Sequence, residues 1–351
     1  MPARRRPWAP LAEPAFTWRD GERVIRYGRG VAAEAATRVE RPYALLTTER
    51  ALESSPADLV DRAAEIHLVA PGLVDALAAG LRGSIHAPTL VAFGGGRVID
   101  VAKALAAADP PRRVVAIPTT LAGAEMTAIH RHATGVAADT PKVRPALVLS
   151  DPTLSASQPR TALAAGAANA LGHAVEASLT PRASPVPTLA AFESARLIAS
   201  AFTATVDRDG LALAALLAGY AIDGAGYGLH HVMAQTLVRV AGLGHGQANA
   251  VMLPHTVGAL RQRFPDALER LRDHLGADPR DVAVALRDRA GATSLAQLGV
   301  PQRALAGLAA AASKRPELAM TPPAASSHEL ESLYAAAWPE TDSYRRTFSG
   351  R

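Results

Sequence analysis

Residues 89–103 read TLVAFGGGRVIDVAK, and this stretch indicates how the first half of the chain folds. A short β-rich run leads into three glycines, and a helical pattern that carries Asp100 and Lys103 follows them. Glycines at such a turn let backbone amides approach a pyrophosphate, and the N-terminus of the helix adds a favourable dipole. A triple glycine alone is equally consistent with an ordinary strand-to-helix turn, so its neighbours decide the interpretation.

Those neighbours repeat the same pattern over about the first 150 residues. The β-rich runs are YALLT (43–47), IHLVA (66–70), TLVAFGGG (89–96), RVVAIPTT (113–120) and ALVLSDP (146–152). Strand followed by helix, repeated, predicts a parallel sheet covered on both sides. After the fourth run comes PTTLAGAEMT (118–127), a second loop of small and hydroxylic residues at the same sheet edge. Two such loops favour phosphate binding.

From about residue 153 the β-rich runs cease. Ala- and Leu-rich segments with apolar residues at helical spacing cover 161–179, 186–206 and 210–240, and they predict an all-helical second half. We therefore predict an α/β doubly wound parallel-sheet domain over residues 1–152 and an all-α domain over residues 153–351. Ligands commonly bind in the cleft between two such halves.

Composition narrows the class of protein. The chain has 351 residues, 49% of them hydrophobic, which is enough to bury a full core. No run of eighteen apolar residues lacks a charge, and the first residues, MPARRRPWAPLAEP, lack the apolar stretch of a signal peptide. We therefore expect a cytoplasmic protein with no membrane partner.

Two residue counts exclude further classes. Zero cysteines exclude disulfides, thiolate nucleophiles and zinc sites built on sulfur. The net charge is only +5, and the 34 arginines and 3 lysines are spread along the whole chain without aromatic interleaving. We therefore expect no nucleic-acid partner, whereas a modest positive field favours small anionic substrates.

Four polar side chains stand inside apolar helical sequence in the second half: Asn169, His173, His231 and His245. The first two are four residues apart and share a helix face. The last two lie in GLHHVMAQTLVRVAGLGHGQANAVMLPH (228–255), where a helix passes through a glycine turn into a second helix. Four such groups could surround one ion. Asn169, however, brings no negative charge where a divalent metal site favours a carboxylate.

Other histidines have simpler explanations. A histidine on an apolar helix is most often a core residue with satisfied hydrogen bonds, and we interpret His230 and His255 in this way. His130 and His132 belong to the loop AIHRH (128–132), which lies either at the mouth of the cleft or in solvent.

In order and spacing, GGGRVIDVAK, AIPTTLAGAEMT, SDP, NALGHAVEA and GLHHVMAQ through HGQANAVMLPH resemble the iron-containing alcohol dehydrogenase superfamily, whose fold dehydroquinate synthase shares. The chain is most similar to the maleylacetate reductase branch. That branch reads PTTYAGSEMT, NAxAHxVEA and GLHH where metal-using members read PTTxGTGSE and DAxxHAxE. The likeness extends from FTWRDGERVIRYGRG (16–30) to LESLYAAAW (330–338).

The resemblance implies a dinucleotide cofactor, NADH or NADPH. The residues that would surround it are Gly94, Gly95, Gly96, Asp100, Thr119, Thr120 and Leu121. Thr48 and Glu49 stand where the family chooses between the adenosine ribose and its 2′-phosphate. Because Glu49 suits the ribose and the adjacent Arg50 suits the phosphate, the choice of cofactor stays open.

The resemblance also bears on metal and assembly. Metal-using relatives would bind their ion through the positions of Asn169, His173, His231 and His245. With an amide at the first position, the three histidines could still hold zinc. The metal-free branch shares this asparagine, so we expect no metal. By resemblance alone, we expect a homodimer.

The leading hypothesis is a metal-independent, NAD(P)H-dependent reductase of the maleylacetate type. Its substrate would be maleylacetate, reduced to 3-oxoadipate, or a related small anionic enone or ketone. Hydride would reach the carbon β to a ketone, and hydrogen bonds would stabilise the enolate. We predict that His173, His231 and His245 handle the oxyanion and the protons, while Asn169 orients them or the substrate.

Departures from the branch cluster around the predicted substrate. Gln235 stands where the family usually carries a histidine near the nicotinamide, which removes a candidate proton donor. Ala146 replaces a lysine that normally approaches the cofactor. HGQAN replaces HAETH, and IHRH replaces IWG. We predict that His130, Arg131 and Gln235 contact the substrate.

These departures leave other functions open. A biosynthetic lyase, cyclase or isomerase that has kept the dinucleotide fold would also fit the sequence. So would an alcohol dehydrogenase with altered substrate loops. A pseudoenzyme that binds a partner protein is a further alternative, against which the retained polar cluster argues.

Overall fold

The computed structural model describes residues 15–339, which form two compact units. The first unit comprises the described residues up to 119 together with 131–154. The second comprises 120–130 together with those from 155 onward. Residues 1–14, on which the prediction of no signal peptide rests, lie outside the described residues.

The first unit is built on a seven-stranded, mainly parallel sheet, as the alternating pattern predicts. The strands are β1 (Phe16–Asp20), β2 (Arg23–Tyr27), β3 (Tyr43–Thr47), β4 (Glu65–Leu68), β5 (Thr89–Gly94), β6 (Arg113–Pro118) and β7 (Leu147–Ser150). Their order is β1-β2-β7-β6-β5-β3-β4, and all pairs except β1 with β2 are parallel. The helices between them are α1 (Ala35–Arg38), α2 (Glu49–Leu52), α3 (Ala57–Asp61), α4 (Val74–Leu81) and α5 (Gly96–Ala108).

The middle of this sheet is buried. Strands β3 and β5 are buried at every position, which explains their nearly unbroken apolar sequence. Leu45, Phe93 and Ile117 from three neighbouring strands belong to one core cluster. Because β3, β5 and β6 run parallel, the segments that follow them leave the sheet at the same edge.

The first two strands were not predicted. β1 and β2 form an antiparallel hairpin whose two-residue loop is Gly21-Glu22, and β2 continues the sheet beside β7. The signal was present, since a glycine between two alternating runs is typical of a tight hairpin.

The second unit is helical, as predicted. Within its described residues the helices are α6 (Arg160–Ala177), α7 (Pro185–Ala201), α8 (Arg208–Ala225), α9 (Leu229–Ala241), α10 (His245–Arg263), α11 (Pro265–Leu275), α12 (Pro279–Ala290), α13 (Leu305–Ala312) and α14 (Ser327–Ala337). Helix α6 is central, since it packs against α7, α8, α10 and α12. Alanines dominate its buried face and let its neighbours approach closely.

One predicted helical stretch, 210–240, is two helices. Helix α8 ends at Ala225, Gly226 follows with a left-handed φ of +78°, and α9 begins at Leu229 after a bend of 105°. Among the described residues no single helix is long and apolar enough to cross a membrane, although this bent pair reaches the threshold together. The predicted glycine turn into a second helix is present, and α10 begins at His245.

Residues 120–130 belong to the helical unit, which the predicted boundary after residue 152 does not include. The physical reason is local packing against α8. Ala128 N–H donates to Asp223 Oδ1 at 2.7 Å. A Cβ placed on Gly219 would stand only 2.6 Å from the carbonyl oxygen of Gly123, so the loop lies directly on the helix backbone.

This contact predicts opposite effects for two glycines of α8. We expect Gly219→Ala to lower the free energy of unfolding by about 1–3 kcal/mol, because the added methyl overpacks the contact with Gly123. Gly224→Ala is the control, since its nearest neighbour would be Pro187 Cγ at 3.7 Å. It should be neutral or stabilising by up to about 1 kcal/mol. Denaturant unfolding measures both, and equal destabilisation would refute the assignment.

Candidate active site

The glycine run lies at the carboxyl edge of the sheet, as predicted. Gly94 ends β5, Gly95 precedes the helix and Gly96 begins α5. A Cβ on Gly94 would stand 2.8 Å from Val98 Cγ2, so only glycine permits this close approach of strand and helix. The backbone amides at the start of α5 are therefore accessible to an anion, which suits a pyrophosphate.

The second predicted loop begins beside the first. Gly94 pairs with Pro118 across parallel strands, and Thr119 N–H donates to the carbonyl oxygen of Gly94 at 3.0 Å. Thr120 is exposed. Leu121, in contrast, is 5% exposed and packs into the helical core of the second unit against Gly166. A cofactor could meet Leu121 only through its backbone.

Two further predicted cofactor residues follow β3 at this edge. The Thr48 side chain accepts from Ala51 N–H at 3.2 Å and caps α2. Glu49, in the first turn of α2, is exposed and available to a ribose hydroxyl. In α5, Lys103 is fully buried and its Nζ lies 2.8 Å from Asp100 Oδ1, so the lysine is paired inside the helix.

The structure brings the four polar residues of the helical half together. Asn169 and His173 come from α6, His231 from α9 and His245 from the first residue of α10. The rings of His173 and His231 are stacked, with centroids 4.5 Å apart and planes inclined by 18°. Nε2 of His245 lies 3.2 Å from Asn169 Oδ1. These residues form a single cluster.

The amide of Asn169 is oriented by the backbone. Its Nδ2 donates to the carbonyl oxygen of Ala122 at 3.2 Å, which turns Oδ1 towards His245. Nε2 of His245 must therefore carry the proton and donate to that oxygen. Asn169 thus ties residues 120–130 to α6 and fixes the ring of His245.

Sequence reasoning missed Glu176, which lies on the same face of α6 as Asn169 and His173. It is fully buried and accepts from His230 N–H at 2.6 Å, while its Oε2 lies 2.6 Å from His231 Nδ1. The spacing i, i+4, i+7 of polar residues in an apolar helix was the signal. The glutamate is part of the motif NALGHAVEA.

Burial sets the charge of the cluster. Burial lowers the pKa of His230 and of His231 to about 3. It also lowers the pKa of His173, and the neighbouring His231 lowers that pKa further. These imidazoles are therefore neutral at neutral pH. Burial raises the pKa of Glu176, opposed by His230 and by backbone N–H donors that include Gly228.

Of the two other histidines, His230 fits the core interpretation, whereas His255 is only partly buried. The ring nitrogens of His230 are both satisfied, with Nδ1 2.9 Å from Thr256 Oγ1 and Nε2 3.1 Å from Asn249 Oδ1. His255 lies in α10, and burial together with the charges of Arg287 and Arg280 lowers its pKa to about 4.

The donor set does not fit a divalent metal ion. Nδ1 of His173 and Nε2 of His231 are buried and have no hydrogen-bond partner among the described residues. An imidazole binds a metal along its ring plane at about 2.0–2.1 Å. Two stacked planes inclined by only 18° do not meet at such a distance. Within residues 15–339 no group of three or more His, Cys, Asp or Glu side chains is arranged to hold a metal.

A second polar network borders the cluster at Tyr227. The ring of Tyr227 packs edge-on against that of His231, with ring centroids 5.8 Å apart. The Tyr227 hydroxyl donates to Glu317 Oε1 at 3.1 Å. Arg315 Nη2 donates to Gln235 Oε1 at 3.1 Å and to Glu317 at 2.8 Å. Gln235, predicted to contact the substrate, is therefore already bound by Arg315, a residue absent from the predicted site.

The other predicted substrate residues have different environments. His130 is only 5% exposed, so the solvated-loop interpretation does not hold for it. Arg131 is exposed. His130 ends the segment that packs with the helical unit, whereas Arg131 starts residues 131–154 of the sheet unit. Their contact with a substrate stays a prediction.

Known proteins agree with this architecture. The profile described as "Fe-containing alcohol dehydrogenase family, C-terminal" matches residues 163–338. A maleylacetate reductase of Sphingobium indicum is 34% identical over 313 residues, which cover 82% of this chain and 87% of that protein. The crystal structure of maleylacetate reductase from Agrobacterium tumefaciens matches with a TM-score of 0.76 at 27% identity, covering 95% of this chain and 99% of that chain. A putative alcohol dehydrogenase from Ralstonia eutropha JMP134 matches with a TM-score of 0.81 at 26% identity, covering 94% and 100%.

The network around Tyr227 predicts a pH-dependent stability. Burial acts to raise the pKa of Glu317, but hydrogen bonds and charge from Arg315 outweigh it and hold that pKa at about 2. The stability contributed by ionised Glu317 is therefore present above about pH 4.5 and is lost as the pH falls towards about 2. Glu317→Gln should cost about 1–2 kcal/mol at pH 7 and progressively less below pH 4.

Glu193→Gln is the control for this prediction. Glu193 pairs with Arg196 on the surface, where both side chains are nearly half exposed, so its loss should cost less than about 0.5 kcal/mol. Denaturant titrations across the pH range compare the variants. A pH-independent cost of Glu317→Gln would contradict the assignment.

Proposed function

Because this chain is an oxidoreductase that belongs to the iron-containing alcohol dehydrogenase family, we propose that it is a metal-independent, NAD(P)H-dependent reductase of the maleylacetate type. The proposed reaction reduces maleylacetate to 3-oxoadipate, or reduces a related small anionic enone or ketone. The maleylacetate reductases to which the chain is similar support this reaction class.

The observation that carries the proposal is the neutral polar cluster in the helical unit. Burial keeps His173 and His231 uncharged, and their stacked rings do not suit an ion. An activated double bond spreads developing charge onto its ketone oxygen, where fixed hydrogen-bond donors can replace a Lewis acid. A site of neutral donors therefore suits an enone better than an unactivated alcohol.

The glycine turn between β5 and α5 supports the proposal that the chain binds a dinucleotide cofactor. Members of this family use NAD(P), and the amides at the start of α5 suit a pyrophosphate. When bound, the reduced nicotinamide supplies hydride to the carbon β to the ketone. The residues of the chain bind that cofactor, orient the substrate and stabilise the enolate.

We assign the developing negative oxygen to His173. Its Nδ1 is buried without a partner among the described residues, whereas the residue as a whole is partly exposed. Nε2 is therefore the ring nitrogen left to donate to a ligand. Asn169 holds His245 beside it, and Arg131 remains our candidate for a substrate carboxylate.

The first test measures oxidation of NADH and of NADPH by the purified protein with maleylacetate, with and without a strong chelator. We expect turnover that survives chelation, because the stacked rings of His173 and His231 do not converge on one ion and the first position is the amide of Asn169. Turnover that chelation abolishes and added metal restores would overturn metal independence. If nucleotide binds but maleylacetate is not reduced, the substrate assignment fails, and absence of nucleotide binding would remove the redox proposal.

A second test addresses the choice of cofactor. The Glu49 carboxylate would repel a 2′-phosphate and accept from a ribose hydroxyl. Glu49→Ala should therefore raise the ratio of kcat/KM for NADPH to that for NADH by about tenfold, equivalent to about 1.4 kcal/mol. Glu53→Ala, one turn later, is the control and should leave the ratio unchanged. An unchanged ratio in Glu49→Ala would exclude this residue from cofactor selection.

We also propose, from the family resemblance, that the protein forms a homodimer, and from its composition that it is cytoplasmic. Sedimentation equilibrium of the purified chain tests the first statement. A monomer at micromolar concentration would contradict it.

A further inference from the structure

The carboxylate of Glu176 has no part in the reaction outlined above, yet it makes the shortest contacts in the cluster. Oε1 accepts from His230 N–H at 2.6 Å, and Oε2 lies 2.6 Å from His231 Nδ1 and 3.4 Å from His231 N–H. Helix α9 starts here, and its N-cap residue, Gly228, has no side chain to cap it. A glutamate from α6 therefore supplies the acceptors.

We propose that Glu176 is a positioning residue, which holds His231 in the tautomer protonated on Nδ1 and so presents Nε2 as a hydrogen-bond acceptor. The N-terminal end of α9 favours a negative charge at this carboxylate. Burial raises the pKa of Glu176, but N–H groups of Gly228, His230 and His231 converge on its two oxygens and act to lower it, and we take the carboxylate as ionised. An ionised carboxylate can only accept hydrogen bonds, so the single proton of a neutral His231 then lies on Nδ1. The 2.6 Å contact lies just below the range of about 2.7–2.9 Å for charge-assisted N–H···O hydrogen bonds.

The rest of the pocket fixes the direction of the acceptor. His173 stacks on one face of the His231 ring, Tyr227 meets the ring edge-on, and His230 contacts it nearly perpendicularly. Nε2 of His231 is buried and has no partner among the described residues. It therefore awaits a donor from a ligand, such as a hydroxyl group or a water molecule.

This polarity divides the roles of the two stacked histidines, an assignment that rests on the proposed reductase function. A bare Nε2 repels a developing negative oxygen, so His231 is not the oxyanion donor that the sequence suggested. His173 has that role, and His231 accepts from the part of the ligand that carries a proton. The site thus binds a ligand that offers both an acceptor oxygen and a donor group.

The first test needs no substrate. Long-range proton–nitrogen correlation on the full chain labelled with nitrogen-15 histidine distinguishes protonated from bare ring nitrogens, and His231→Gln identifies the signals of His231. We expect a protonated Nδ1 and a bare Nε2. A proton on Nε2, or on both nitrogens, at neutral pH would overturn the proposal.

Glu176→Gln sharpens the test. In this variant the backbone N–H of His230 still donates to the side-chain oxygen Oε1. The side-chain NH₂ group of the glutamine then takes the place of Oε2 and donates to His231 Nδ1. The tautomer should therefore invert, with the proton on Nε2. The matched control is Thr321→Val, which removes the hydroxyl that accepts from Leu229 N–H at 3.1 Å at the same helix start. It should leave the tautomer unchanged, and inversion in both variants would show a merely structural effect.

Kinetics complete the test where maleylacetate is turned over. Glu176→Gln should lower kcat by about 10- to 100-fold with less than about a threefold change in KM, whereas Thr321→Val should stay within about twofold of the parent in both. A loss confined to KM would contradict the positioning role. If the parent does not reduce maleylacetate, the proposed function fails, while the tautomer measurement still decides the role of Glu176. If Glu176→Gln does not fold, the parent spectrum decides it.

Discussion

The polar face of α6 is the feature on which the helical unit depends. Asn169, His173 and Glu176 follow one another along a helix that is otherwise packed on several sides by apolar neighbours. A polar group in such a core is costly unless it is paired, so the hydrogen bonds of Asn169 and Glu176 determine where other elements lie. Asn169 fixes residues 120–130 through Ala122 and fixes α10 through His245, while Glu176 fixes the start of α9. The same hydrogen bonds that satisfy the core therefore also assemble the candidate site.

Much of this architecture could be predicted because it depends on local periodicity. Apolar runs separated by helical patterns define the parallel sheet, and the apolar spacing after residue 153 defines the helices. The proximity of Asn169 and His173 was predictable because side chains four apart share a helix face. His231 and His245 lie on two different helices and have no such local relation. The bend of 105° after α8 was not predicted, although the local signal was present. Glycines at 224, 226 and 228 interrupt the helical pattern, and Gly226 has the left-handed φ at which α8 ends.

The features that sequence reasoning missed are those in which a partner lies far along the chain. Glu176 lies 54 residues from His230, and Arg315 lies 80 residues from Gln235. No local pattern shows that the first is a helix cap or that the second occupies a residue expected to face the substrate. For the same reason, Leu121 was predicted at the cofactor although its side chain packs into the helical core. Residue type indicated which groups are polar, and only the fold determines what they contact.

The start of α9 also has a consequence for how the protein folds. Among residues 15–339, the N–H groups of Leu229 and His230 find their acceptors in Thr321 and Glu176, which are 92 and 54 residues away along the chain. Such an end gains little from forming early, because its side-chain acceptors become available only when distant segments arrive. We therefore infer that this turn becomes ordered late, together with the packing of α6. His231 belongs to this first turn of α9, so its ring reaches its final position only when the chain is nearly folded. On this inference, a partly folded chain does not yet contain the candidate site.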